Sequence, residues 1–172
     1  MRRTRPARAT GYHGCMADDI PTLRRILQGC HTIAIVGLSP EWHRPSHFVA
    51  KYLQGHGYRV VPVNPRVAAD QGQILGEACY ARLEDIPVPV DMVDVFRKPA
   101  DVPPIAASAV AIQARCLWQQ LGVANLEADA LARAAGLDSV MDRCVKIEHA
   151  RLFGGLNWVG VDTKIISARR PI

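Results

Sequence analysis

The stretch Thr32-Ile33-Ala34-Ile35-Val36-Gly37-Leu38-Ser39 decides the fold of this 172-residue chain. Continuous apolar residues that end at a glycine are typical of a strand buried on both faces of a parallel sheet. A helical pattern precedes this strand, with Leu23, Ile26 and Leu27 on one face, and it ends at Gly29. A helix followed closely by a doubly buried strand predicts an α/β protein.

Outward from this strand, the chain alternates between helical and strand periods. Residues 45–54 follow as a helix, and residues 58–63 follow as the second strand, with Pro62 tolerated best near a strand end. Further strands are predicted at residues 92–96, 115–119 and 139–141, and further helices at residues 103–113 and 127–135. Residues 64–90 form a long connection with one short helical turn at residues 83–86. The pattern predicts a Rossmann-like, doubly wound, mostly parallel five-stranded sheet with helices on both faces.

Positive charge is concentrated at the amino terminus. Of the 21 basic residues, four precede the first acid, Asp18, and the other 17 nearly balance the 16 acidic residues. These four are Arg2, Arg3, Arg5 and Arg8. Residues 1–15 lack an apolar pattern, so we expect a disordered basic extension or an over-called translation start. Residues 16–150 are expected to form one domain, and residues 151–172 a tail that packs on it or extends toward a partner subunit.

Composition excludes several classes of protein. The five cysteines show no C-x-x-C pair, which argues against a zinc ribbon or a disulfide framework and favours a reducing cytoplasm. No apolar run approaches the roughly 20 residues that cross a bilayer, so we expect no membrane partner. Aromatic residues make up 6% of the chain, and nucleic-acid binding would rest on the basic extension alone.

Cationic side chains follow the predicted strands. Ligands of an open parallel sheet bind outside the carboxyl ends of its strands, where the loops of this chain carry Arg44, Arg66, Arg97 and Lys98. The helix after the first strand adds an N-terminus, whose N–H groups and dipole favour an anion. Together these features predict a polyphosphate ligand.

The dinucleotide fingerprint G-x-G-x-x-G is incomplete in this chain. Only Gly37 is present, and Ser39 and Trp42 stand at the second and third glycine positions. The second strand ends at Asn64, without the acid that holds the ribose diol of NAD. A ligand with an extra ribose phosphate suits the site better, and both NADP and coenzyme A carry one.

An ordered set of segments carries a family resemblance. The segments are 36–39, 44–46, 57–65, 94–97, 117–122 and 141–144, which read VGLS, RPS, GYRVVPVNP, DVFR, LWQQLG and MDRC. Together they resemble the stand-alone CoA-binding protein family, which is similar to the N-terminal CoA-binding domain of the succinyl-CoA synthetase α subunit. The resemblance covers about residues 20–150.

The resemblance implies that coenzyme A, free or acylated, lies across the carboxyl edge of the sheet. Eight residues are carried over by position: Gly37, Ser39, Arg44, Ser46, Asn64, Pro65, Phe96 and Arg97. The first four would surround the phosphates, the next two would border the nucleotide, and the last two would lie beneath the ligand.

The strand-end loops do not combine a nucleophile, a base and an orienting group, which favours a binding module without catalytic activity. The alternative is a small NADP-dependent oxidoreductase of Rossmann type. Pro45 lies between His43 and His47 and argues against a metal site on this pair. We interpret Trp118 as core, and Cys144 as an inert thiol unless its neighbours lower its pKa.

Overall fold

The computed structural model describes residues 19–154. In chain order the elements are α1 (Ile20–Gly29), β1 (Thr32–Val36), α2 (Pro45–Gly55), β2 (Arg59–Val63), α3 (Pro65–Ala69), β3 (Gln73–Ile74), β4 (Glu77–Ala78), β5 (Met92–Val95), α4 (Val102–Ala111), β6 (Cys116–Gln119), α5 (Leu126–Ala134), β7 (Asp138–Val140) and α6 (Val145–Phe153). Short 3-10 turns precede β5 at Leu83–Asp85 and α4 at Pro99–Asp101.

Five strands form one parallel sheet in the order β2-β1-β5-β6-β7. From β1 the chain turns to β2 on one side, and it later returns to β5 on the other side. This reversal makes the gap between β1 and β5 the topological switch point of the sheet. The predicted Rossmann-like architecture is confirmed.

Two apolar layers cover the sheet because neighbouring residues of a strand face opposite sides. Ile33 and Ile35 of β1 pack with α1, α2 and α6, whereas Ala34 packs with α4 and α5. Alanines dominate the buried faces of α4 and α5, and these small side chains allow the two helices to approach closely. Both faces of the sheet are therefore buried.

The edge strand β2 contains Pro62. The nitrogen of Pro62 cannot donate a hydrogen bond. An edge strand tolerates this loss, and within the described residues β2 pairs with β1 alone in the sheet. Pro62 is the fourth of the five residues of β2, so it also lies near a strand end, as expected. Beyond β1, a single bridge from Val63 to Tyr80 extends the pairing.

Three features differ from the sequence interpretation. The connection at residues 64–90 contains α3 and the small antiparallel pair β3–β4, which the periodicity did not predict. Helix α6 was also not predicted, and it continues past residue 150, the expected end of the domain, with Leu152 buried against the core. Residues 1–15, expected to be a basic extension, lie outside the described residues, as does most of the expected tail.

No helix between residues 19 and 154 is long and apolar enough to cross a membrane.

Candidate functional site

A large cavity opens at the switch point, where β1, β2 and β5 end. Its volume is about 1050 Å³, and the start of α2 forms one wall. Small-molecule sites commonly enclose about 300–1,000 Å³, so the cavity is large enough for an extended ligand. All eight residues carried over from the resemblance line it: Gly37, Ser39, Arg44, Ser46, Asn64, Pro65, Phe96 and Arg97. Their role as ligand contacts stays a prediction.

Gly37 lets the ends of three strands meet. Its φ is +87°, and a Cβ placed on it would lie 2.6 Å from the carbonyl oxygen of Phe96. The N–H of Gly37 donates to the carbonyl oxygen of Val63 at 2.9 Å. Both the backbone angle and the close approach require glycine here. Packing at the strand ends therefore explains this residue even without a phosphate.

Two serines shape the loop that follows β1. The hydroxyl oxygen of Ser46 accepts from the N–H of Ser39 at 3.0 Å, and the hydroxyl oxygen of Ser39 accepts from the N–H of Glu41 at 3.2 Å. His47 Nδ1 lies 3.1 Å from the carbonyl oxygen of Ser39. Ser46 lines the cavity as the sequence predicted, but its side chain is buried and braces the loop.

Acidic side chains pair with two of the cavity arginines. Arg44 Nε donates to Glu41 Oε2 at 3.1 Å, and Arg97 donates to Asp101 at 3.2 Å. His43 Nε2 lies 3.3 Å from the same Glu41 oxygen. Sequence reasoning missed both acids, although spacings of three and four residues from an arginine are a usual signal of an ion pair.

Lys98 lies beside the large cavity rather than in it. Arg66 lines the large cavity, whereas Lys98 lines a neighbouring cavity of about 450 Å³ together with Pro99 and Gly122. The two cavities share Phe96, Arg97 and Asp101. The four predicted cations are thus distributed along two adjoining cavities at one edge of the sheet.

Asn64 uses its side chain within the protein. Its amide nitrogen donates to the carbonyl oxygen of Leu38 at 2.9 Å, and its amide oxygen accepts from the N–H of Arg66 at 3.1 Å. The resemblance implies that Asn64 borders the nucleotide portion of the ligand, which stays a prediction. In the structure both amide groups join the loop after β1 to the start of α3, so Asn64 sets the shape of the cavity wall.

The ends of β6 and β7 contribute little to the two cavities. Of the described residues that follow these two strands, only Gly122 borders either cavity. Gln119 and Gln120 are buried, and Gln119 exchanges hydrogen bonds with the backbone of Asn125. Trp118 is fully buried and donates from Nε1 to the carbonyl oxygen of Arg143 at 2.7 Å. The interpretation of Trp118 as core is confirmed.

Asp94 is a buried acid close to the strand end. Its side chain is 0% exposed, Oδ1 accepts from Gln120 Nε2 at 2.7 Å, and Oδ2 has no hydrogen-bond partner among residues 19–154. Burial raises the pKa of this carboxyl to about 7, and the Gln120 hydrogen bond offsets only part of that effect. Sequence reasoning used Asp94 only as part of a motif, because a strand pattern does not reveal a buried charge.

Cys144 is the N-cap of α6. Burial raises the pKa of its thiol, while the backbone N–H groups of Ile147 and Lys146 act in the opposite direction. A raised pKa leaves little thiolate at neutral pH, in agreement with the inert interpretation. Across residues 19–154, no group of three or more His, Cys, Asp or Glu side chains forms a metal site.

Comparison with known proteins gives the family. The family described as CoA binding domain matches residues 31–150, which is most of the chain. The chain belongs to this CoA-binding family. The match contains β1 to β7 and all eight residues carried over by position. The resemblance to the CoA-binding family is thereby confirmed.

Proteins similar in sequence and structure align with most of this chain. The uncharacterized protein YneT of Bacillus subtilis (strain 168) is 37% identical over 128 residues, which cover 74% of this chain and 92% of YneT. A hypothetical protein from Pyrococcus horikoshii OT3 is 38% identical, with a TM-score of 0.76 over 90% of this chain and 100% of that one. The structure of cell-free ID.343 from Thermus thermophilus is 38% identical, with a TM-score of 0.74 over 78% and 99% of the two chains.

Proposed function

We propose that this protein binds coenzyme A, free or acylated, along the carboxyl edge of its sheet and does not turn it over on its own. One observation carries the proposal: the eight residues that the sequence associates with CoA line a single cavity at the switch point. Membership of the CoA-binding family supports the same ligand.

The charges around the cavity suit the phosphates of coenzyme A. Arg44, Arg66 and Arg97 line its walls, and the first turn of α2 contains no acidic residue. Guanidinium groups and a helix N-terminus both favour phosphate oxygens. We assign the three phosphates of the ligand to these groups.

The polar groups near this edge support binding without turnover. Ser46 and Asn64 are engaged in internal hydrogen bonds, and Asp94 is buried away from the cavity walls. The hydroxyl oxygen of Tyr52 lies 3.0 Å from His149 Nδ1, near the amino ends of β1 and β2 and thus at the opposite end of the sheet from the cavity. A general base needs to lie within hydrogen-bond reach of a reacting atom.

We also propose a cytoplasmic location, because Cys30, Cys79, Cys116 and Cys144 are free thiols.

Calorimetry with coenzyme A and 3′-dephospho-CoA tests the proposal. Coenzyme A should bind, and removal of the 3′-phosphate should weaken binding by about tenfold, because a charge-assisted contact contributes about 1.5 kcal/mol or more. Mass spectrometry of the native protein should detect bound CoA or acyl-CoA. Absence of any calorimetric signal at millimolar coenzyme A would contradict the proposed ligand.

A further inference from the structure

The smaller cavity continues the larger one toward the loop after β6. Phe96, Arg97 and Asp101 line both, while Pro99 and Gly122 form the far side of the smaller one. A ligand whose phosphates occupy the larger cavity can therefore extend past Phe96 toward Gly122. The smaller cavity, of about 450 Å³, suits the narrower arm of such a ligand.

Two large aliphatic side chains are exposed on residues that are the chain neighbours of groups forming or contacting the wall of the smaller cavity. Leu126 is 77% exposed, and Leu121 is 48% exposed. Leu121 directly precedes Gly122, and Leu126 is the first residue of α5. Pro99, on the cavity wall, is exposed as well. Exposed apolar side chains are thus close in the chain to the wall of the smaller cavity, which Arg97, Lys98 and Asp101 also line.

Hydrogen bonds tie the residues next to both leucines to neighbouring loops. Asn125 Nδ2 donates to the carbonyl oxygen of Pro99 at 2.9 Å, which ties the start of α5 to the cavity wall. The N–H of Gly122 donates to Asp142 Oδ1 at 2.7 Å, which ties the loop after β6 to the loop after β7. Apolar surface on a fixed backbone can be covered by a ligand at little cost in conformational entropy.

We propose that the physiological ligand is an acyl-CoA whose apolar acyl chain covers Leu121 and Leu126. The inference rests on the proposed function, which places the phosphates among the arginines and so directs the thioester toward the smaller cavity. It specifies the ligand, because free coenzyme A would leave both leucines in water.

Calorimetry with a series of CoA thioesters tests the inference. Each methylene moved from water into apolar contact strengthens binding by up to about fourfold, so hexanoyl-CoA should bind roughly tenfold more tightly than coenzyme A, with butyryl-CoA between them. Succinyl-CoA is the informative comparison, because its carboxylate would instead favour Lys98. Equal affinity for coenzyme A and hexanoyl-CoA, or a preference for succinyl-CoA, would overturn the inference.

Leu126→Asn removes the exposed apolar side chain at the start of α5. The variant should lose about threefold or more of its affinity for hexanoyl-CoA and keep its affinity for coenzyme A. Leu131→Asn is the matched control, because Leu131 is also an exposed leucine of α5 but lies more than one helical turn beyond Leu126 and Asn125. It should leave both affinities unchanged.

The outcomes separate this inference from the proposed function. If no CoA compound binds, the proposed function is wrong. If coenzyme A binds with the affinity of its thioesters, only the acyl inference is wrong. Sedimentation velocity adds a further check: if Leu126→Asn dissociates an oligomer without changing the preference for hexanoyl-CoA, the leucines belong to a protein interface and the inference is overturned.

Discussion

Arg44 and Glu41 hold opposite charges on one wall of the large cavity. If a ligand phosphate binds Arg44 as we propose, it has to replace the carboxylate contact of Glu41 with a phosphate contact. Both side chains are more than half exposed, which limits what the pair contributes to stability. The pair therefore influences ligand affinity more than folding.

Arg44→Ala should weaken coenzyme A binding by about tenfold. This value is near the lower end of the range for charge-assisted contacts, because Arg44 is exposed and has to give up its contact with Glu41. The free energy of unfolding should barely change. Arg82→Ala is the matched control, since Arg82 also pairs with an acid three residues away but does not line the cavity. Unaltered calorimetric affinity in Arg44→Ala would place the phosphate elsewhere.

Glu41→Gln should have the opposite effect on affinity. Loss of the carboxylate frees Arg44 and removes its repulsion of phosphate, so coenzyme A should bind about two- to fivefold more tightly, the range expected from an exposed ion pair. Asp85→Asn, which breaks the Arg82 pair, should change nothing. Weaker binding by Glu41→Gln would indicate that the carboxylate contacts the ligand directly.

Asp94 predicts how stability depends on pH. Its pKa is about 7 in the folded protein and near 3.8 in the unfolded chain, so the folded state retains the proton longer. Its contribution to stability is complete below about pH 4 and is lost as the pH rises through 7, by an amount on the order of a few kcal/mol. Burial lowers the pKa of His149. The contribution of His149 to the stability of the protein is therefore lost as the pH falls, the opposite direction to that of Asp94.

Comparison with Asp94→Asn isolates this contribution. The amide keeps the size of the side chain and cannot ionise, so the variant should lose less stability than the wild type between pH 5 and pH 8. Urea unfolding at both pH values measures the difference. Equal changes in the two proteins would show that Asp94 is already ionised at pH 5 in the folded protein.

At the scale of elements, the periodicity predicted the five main strands and the helices α1, α2, α4 and α5, because each contains a regular apolar pattern. It missed α6 because Glu148 and His149 lie on the buried face of that helix. Arg143 and Tyr52, which lie outside α6, and Arg151 of α6 itself satisfy these two polar groups. It missed α3 and β3–β4 because elements of five and two residues are too short to show a period.

The same limit applies to the site. Order along the chain predicted which residues meet at the strand ends, since parallel strands end at one edge. It did not predict that the side chains of Ser46 and Asn64 form hydrogen bonds with the loop that follows β1. Hydrogen-bond partners depend on distances of a few tenths of an ångström, which residue types and spacing do not determine.

Gly37→Ala tests the packing of the strand ends. Both the positive φ and the contact with Phe96 oppose a Cβ, so the free energy of unfolding should fall by roughly 2–3 kcal/mol. Gly57 has the same φ of +87°, but a Cβ placed on it would meet nothing within 4 Å, so Gly57→Ala should cost only about 1 kcal/mol. Equal losses in the two variants would show that the close approach at Gly37 contributes nothing.

At the scale of the whole molecule, ligand binding should stabilise the fold in the order coenzyme A, NADP, NAD. The large cavity contains arginines for an extra phosphate, and no acid at the end of β2 is available for a ribose diol. A ligand at 100 times its dissociation constant adds about 2.7 kcal/mol. Thermal unfolding with each ligand measures the order, and a larger shift with NAD than with coenzyme A would contradict it.

The outer edge of β2 bears on how the protein behaves at high concentration. Pro62 offers no N–H there, its carbonyl oxygen accepts from the N–H of Tyr80, and the carbonyl oxygen of Tyr80 accepts from the N–H of Asn64. An exposed sheet edge is a common starting point for aggregation, because a strand from another molecule can extend it. With these groups already engaged, we expect the part of this edge next to the large cavity to resist extension by a strand from another molecule.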